Sequence, residues 1–260
     1  MQSAAITAAA VVPAAPATVP AEAIRERVQV LEARPGAREV LLVTSGGAPP
    51  AEDEHAVIVL SGGGGGFAVT CPDGVPRVQG GLPLSQRERL ALSIGGPVMA
   101  LSPPSDKPVM DREWRMSERH VVDLQAAVDW VKTQWPLAKT WVLGVNNGAL
   151  SAAVATANIG DLAGAILLAC SDEAFDQPQK SDQMRMLAVR YRRDASLTCA
   201  TVARTWGRKT LVTVHDERAQ HAESTYSEAA NRPRFSGKDF QVVDVVARWI
   251  LTGMAPDQIR

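Results

Sequence analysis

The sequence predicts an α/β fold, with a mostly parallel central sheet and helices on both faces. Three observations predict it. Short apolar runs rich in β-branched residues recur along the chain, as buried strands should. Amphipathic helical patterns lie between them, and that alternation is the signature of parallel sheets. The apolar run Trp141–Leu143 meets Gly144, then three residues, then Gly148 and the small-residue stretch Ala149–Thr156. Two glycines so placed let a strand turn sharply into a helix and pack closely against it. A chain of 260 residues suits one such domain with a large core.

The elements follow in order. Val28–Ala33 and Glu39–Thr44 read as an opening pair of strands. His55–Leu60 (HAVIVL) is a buried strand, and Pro97–Leu101, Thr140–Val145, Gly164–Ala169 and Thr210–His215 repeat its pattern. Leu84–Ile94 reads as a helix. Ser117–Trp135 is the clearest one, with Val121, Leu124, Val128 and Val131 at helical spacing and a Ser117-Glu118 start that supplies a cap. Asn147–Ala157 and Phe240–Leu251 complete the set. Ser171–Lys209 interrupts the rhythm. It is polar and arginine-rich, and reads as a solvated helical insertion in preference to a lid or partner-binding element.

Composition narrows the function. Hydrophobic residues make up 46% and charged residues 21%, ordinary values for a soluble globular protein. A net charge of −1 gives no electrostatic case for nucleic acid or an anionic membrane surface. No run approaches the roughly 20 apolar residues that span a bilayer. Cys71, Cys170 and Cys199 form no disulfide framework, and sequence does not choose a pair among them. No cofactor is expected. His215 and His221 lack a third metal ligand at sensible spacing. Residues 1–25 read as an Ala/Pro-rich leader before a single domain at 26–256. The alternative for the leader is the mature start of an exported protein, and a periplasmic or secreted location is favoured over the cytoplasm.

Four motifs then agree in order and spacing: VIVLSGGGGGF (Val57–Phe67), LSPPSDKP (Leu101–Pro108), SERHVVDLQAAVDWV (Ser117–Val131) and GVNNG (Gly144–Gly148). From about Ala56 to Leu251 the chain resembles small bacterial α/β-hydrolases of the serine esterase and dienelactone hydrolase type. The resemblance implies an α/β-hydrolase fold, a glycine-rich oxyanion loop, and a nucleophile elbow of the form G-x-S-x-G.

Such an enzyme needs an attacking serine, a histidine that takes its proton and an acid that orients the histidine. The serine position holds Asn146, whose carboxamide is no nucleophile for acyl transfer. The resemblance places the acid after Thr210–His215, where Asp216 and Glu217 are candidates and Arg218 the nearest match. It places the histidine before the last helix, where Asn231–Lys238 holds none and Arg234 is the nearest match. A guanidinium stays protonated and cannot act as a base. His55 and His120 sit elsewhere, which leaves His221 as the alternative base.

The glycine run is intact. Gly62, Gly63 and Gly64 with Asn147 are the expected oxyanion donors, and Asn146 and Arg234 add polar and cationic contacts. The first expectation is therefore a non-catalytic hydrolase-fold protein that binds a small anion or carboxylate, or a protein partner through the arginine-rich segment. The second is a serine esterase with its serine replaced. The third is an enzyme using Asp216, Glu217 or His221 unconventionally. Trp114, Trp130, Trp135, Trp141 and Trp249 are expected to fill core and interface space. Asp106 is expected to fix the loop after its strand, and Asp244 to lie on the surface.

Overall fold

The computed structural model describes residues 24–46, 55–70, 77–79, 84–169, 183–191, 208–215, 235 and 237–260. The strands are β1 (Ile24–Arg34), β2 (Ala37–Gly46), β3 (His55–Leu60), β4 (Ala68–Thr70), β5 (Arg77–Gln79), β6 (Val98–Leu101), β7 (Lys139–Val145), β8 (Gly164–Leu168), β9 (Arg185–Tyr191), β10 (Arg208–Val214) and β11 (Gln258–Ile259). The α-helices are α1 (Arg87–Ile94), α2 (Arg112–Arg115), α3 (Glu118–Gln134), α4 (Asn147–Asn158) and α5 (Asp239–Thr252).

Nine strands form one sheet in the order β1-β2-β6-β3-β7-β8-β9-β10-β11. β1 and β2 pair antiparallel, β2 runs antiparallel to β6, and the rest are parallel. β4 and β5 form a separate hairpin. β3 is buried at every residue, because helices cover both its faces. α3 and α4 contribute Leu124, Val128, Ala149 and Ala153 to the core on one face. α1 and α5 contribute Leu90, Ile94, Val243 and Trp249 to the core on the other. α1 and α5 both stop at a glycine in the left-handed conformation, Gly95 and Gly253. Ser117 caps α3 as its sequence predicts, accepting from the His120 N–H at 3.3 Å.

The departure from the sequence reading is β9. It lies within Ser171–Lys209, yet pairs in parallel with both β8 and β10 inside the sheet. Its sequence, RMLAVRY, sets four apolar residues between two arginines. Arg185 is what hides it. That guanidinium stacks 4.5 Å from the Trp249 ring and 5.2 Å from Trp141, and donates to the Trp249 carbonyl at 2.6 Å. An arginine satisfied in this way sits at a strand start that polarity assigns to solvent.

Candidate functional site

Chain order places the site. β3 leads through α1, on one face, to β6 on its left. β7 leads through α4, on the opposite face, to β8 on its right. β3 and β7 are neighbours, so the loops leaving their carboxyl ends part in opposite directions and open a crevice between them. Those two loops are the glycine run and the Asn146 turn.

The turn has the shape the G-x-x-x-G spacing implies. Asn146 has φ 53° and ψ −119°, a positive φ outside the left-handed helical region and a strained conformation for a residue with a Cβ. It is locked there by its N–H to the Leu168 carbonyl and by its own carbonyl, which accepts from Ala149 N–H, both at 2.9 Å. The side chain makes no capping bond to α4. The flanking glycines are required by contact. A Cβ on Gly144 would overlap the Gly148 carbonyl, and one on Gly148 would overlap the Leu60 carbonyl.

The glycine loop lies against this turn. A Cβ on Gly62 would come within 2.9 Å of the Val145 carbonyl and 3.3 Å of the Asn146 Cβ. Gly65 donates to the Gly62 carbonyl at 2.9 Å and closes the loop. Asn147 Nδ2 reaches the Gly63 carbonyl at 3.4 Å. Among the described residues, the N–H groups of Gly62, Gly63 and Gly64 have no hydrogen-bond acceptor. The Ser61 hydroxyl is buried without a partner there. The glycine loop Gly62–Gly64 thus lies beside Asn146 and Asn147. Asp216, Glu217, Arg218, His221 and Arg234 lie outside the described residues, as do the three cysteines. His215 closes β10, its N–H bonded to the Ile259 carbonyl at 2.8 Å.

Arg115 is the site residue that sequence reasoning missed. It is 1% exposed, beneath the glycine loop. Its Nη1 donates to Ser151 Oγ on α4 at 2.7 Å, and its Nη2 to the carbonyls of Gly63 at 3.0 Å and Ser61 at 3.3 Å. The short helix that carries it is capped by Asp111, which accepts from Trp114 N–H at 2.8 Å. No periodic pattern marks a one-turn helix, so only the Asp111 cap offered a signal.

His120 is buried one turn into α3, and neither ring nitrogen has a partner among the described residues. Burial, helped by the Arg115 charge, pushes its pKa down to about 3, so the ring is neutral. Asp106 binds Arg34 through two contacts of 2.9 Å and pins the loop after β6, as expected of it. Asp244 pairs with Arg89 at the surface. Trp141 and Trp249 are core residues, whereas Trp130 and Trp135 are only partly buried and stack near Arg27.

Solved structures share this architecture. A cold-adapted esterase from an Arctic intertidal metagenomic library superposes with a TM-score of 0.57 at 15% identity, over 87% of this chain and 94% of that one. An α/β serine hydrolase without a lid from Xanthomonas campestris gives 0.57 at 16%, over 92% and 97%. This chain has the α/β-hydrolase fold. Dienelactone hydrolase from Anabaena variabilis gives 0.57 at 14%, over 88% and 98%. No family model matches the sequence, and no curated protein does. Asn146 lies at the turn from β7 into α4. Among the described residues no group of three or more His, Cys, Asp or Glu is placed to hold a metal, and no helix is long and apolar enough to cross a membrane.

Proposed function

We propose that this chain is a hydrolase-fold protein without hydrolytic activity, whose glycine loop binds a small anion or carboxylate. The observation that carries this reading is the pairing at one crevice of Gly62–Gly64 amides, unpaired among the described residues, with a carboxamide at the turn. Convergent amides attract anions with no need of a nucleophile. Asn146 supplies a donor and an acceptor but no transferable proton. Arg234 belongs to the same proposal as an added cation. Calorimetric titration with acetate, phosphate and short dicarboxylates tests it, on the wild type and on Arg234→Ala. Saturable binding of one of them supports it, and absence of binding by all sinks it. Binding that is equal in Arg234→Ala removes that residue from the site.

Turnover of p-nitrophenyl acetate by the wild type is expected at the level of a non-specific protein background. A saturable esterase activity in the unsubstituted chain would contradict the proposal directly.

Chain order supports a second reading: His221 lies in sequence between β10 and α5, so a histidine does precede the last helix. On this reading the chain is a serine hydrolase changed at its nucleophile. Asn146→Ser separates the two. The first reading expects the variant to stay within about tenfold of background, because a serine without its base forfeits most of the effect of the triad. A robust activity that His221→Ala abolishes selects the second.

A further inference from the structure

The glycine loop is clamped from one side. Its carbonyls at Ser61 and Gly63 accept from Arg115, and its carbonyl at Gly64 accepts from Met110 N–H at 2.8 Å. The segment that supplies both donors runs from Val109 to Arg115, and Val109 itself lies against Gly64. A trans peptide points its C=O and N–H in opposite directions. The Ser61 carbonyl shares a peptide with the Gly62 N–H, and the Gly63 carbonyl shares one with the Gly64 N–H. Both carbonyls face the guanidinium, so both N–H groups face away from it.

We infer that Arg115 is the positioning residue of this site: its buried guanidinium holds the Ser61 and Gly63 peptides so that the Gly62 and Gly64 amides present themselves, polarised, to an anionic ligand. The inference rests on the anion-binding reading above. Three properties of the residue support it. Arginine supplies a planar fork that bonds two carbonyls and a hydroxyl at once. Its charge lies in a desolvated position, where it acts on nearby dipoles with little screening. A donor on the carbonyl side of a peptide strengthens the hydrogen bond that the N–H can make on the other side. Ser151 fixes the far end of the fork to α4, the helix that begins at the elbow. Arg115 therefore ties the two halves of the crevice together. The site carries a positive charge beneath it that the loop motif alone does not contain.

The test compares the full chain with Arg115→Lys and Arg115→Gln, following the Gly62 and Gly64 amide resonances during titration with sodium acetate and with inorganic phosphate. Arg115→Gln is expected to weaken acetate by about tenfold or more, the scale of a lost charge-assisted interaction. Arg115→Lys keeps the charge but loses the fork, and is expected to fall between the wild type and Arg115→Gln. Equal weakening in both variants, or none in Arg115→Gln, overturns the inference. A measurement on the unsubstituted chain covers the case in which neither variant folds. A peptide acidified by a buried cation exchanges its amide hydrogen faster with hydroxide. The Gly62 and Gly64 amides should then exchange at least about tenfold faster than that of the more exposed Gly66, given the strength of a poorly screened charge. Rates equal to or below that of Gly66 overturn the inference. Fast exchange in a wild type that binds neither anion keeps the role of Arg115 and removes the anion-binding reading.

Discussion

Gly148→Ala should abolish the folded state under conditions in which Gly66→Ala is silent. A methyl at position 148 would overlap the Leu60 carbonyl and stand 2.8 Å from the Ser61 carbonyl. Both obstacles are backbone atoms of the central strand β3 and the loop it feeds, so no side-chain rotation relieves the clash. α4 must instead move off the sheet, and with it the small-residue face that packs Ala149, Ala152 and Ala153 into the core. Overpacking in a rigid core costs about 1–3 kcal/mol, and more where the backbone itself must shift. A loss above about 4 kcal/mol is expected here, most of the stability of an ordinary domain. Among the described residues Gly66 has nothing within 4 Å of its would-be Cβ, and it has no positive φ, so Gly66→Ala should change stability by less than about 0.5 kcal/mol. Urea denaturation of the three proteins checks both expectations. A folded Gly148→Ala with an unchanged midpoint would mean that strand and helix are farther apart than described.

The second large effect is a fall in stability as pH rises above about 6.5. Glu39 on β2 is 1% exposed, and its Oε2 has no partner among the described residues. Burial, with the nearby Asp123 and Asp106 charges added, pushes its carboxyl up to about 8 against the opposing pull of Arg34. Arg34 itself is engaged by Asp106 and, through Nε at 2.6 Å, by Asp123 on α3. Burial raises Asp123 as well, in spite of that contact. Between the ordinary glutamate range and pH 8 the folded chain keeps a proton on Glu39 that the unfolded chain releases. Stability therefore falls through that window, at up to about 1.4 kcal/mol per pH unit. His120 acts in the opposite sense. Its folded pKa of about 3 lies below the unfolded value, so stability is lost as pH falls from about 6.5 toward 3. The two slopes cancel between roughly pH 4.5 and 6.5, where these two groups together place the maximum.

Glu39→Gln isolates the first slope. The amide nearly matches the shape of the protonated acid and cannot ionise. The variant should resemble the wild type at pH 5 and exceed it by about 2–4 kcal/mol at pH 7.5, from the span of the shift. Unfolding free energies at the two values decide it. A Glu39→Gln variant no more stable than the wild type at pH 7.5 would show that Glu39 ionises in place at no cost. The cluster joins the β1–β2 hairpin to α3 and lies apart from the glycine loop. Its titration is therefore expected to change stability, with anion affinity at the crevice unaltered.

Local chemistry by itself determined a good part of this protein. HAVIVL is a strand because a run of β-branched and aliphatic residues has no polar face to expose. Ser117 begins α3 because its hydroxyl satisfies an N–H that the helix leaves open. Gly144 and Gly148 announce the elbow because the approach of β7, α4 and β3 admits no Cβ at either position. The same spacing put a carboxamide at the strained position of the turn, with the glycine amides beside it. Only the tertiary structure decided the rest. β9 was hidden because Arg185 is made acceptable by two tryptophan rings and a carbonyl contributed mainly from α5, 64 residues away at its hydrogen bond. Arg115 was hidden because its partners are carbonyls and a hydroxyl brought together from β3's loop and α4, 54 and 36 residues from it in sequence. A buried arginine and an exposed one are spelled alike, and the contacts that make burial tolerable exist only once distant segments have met.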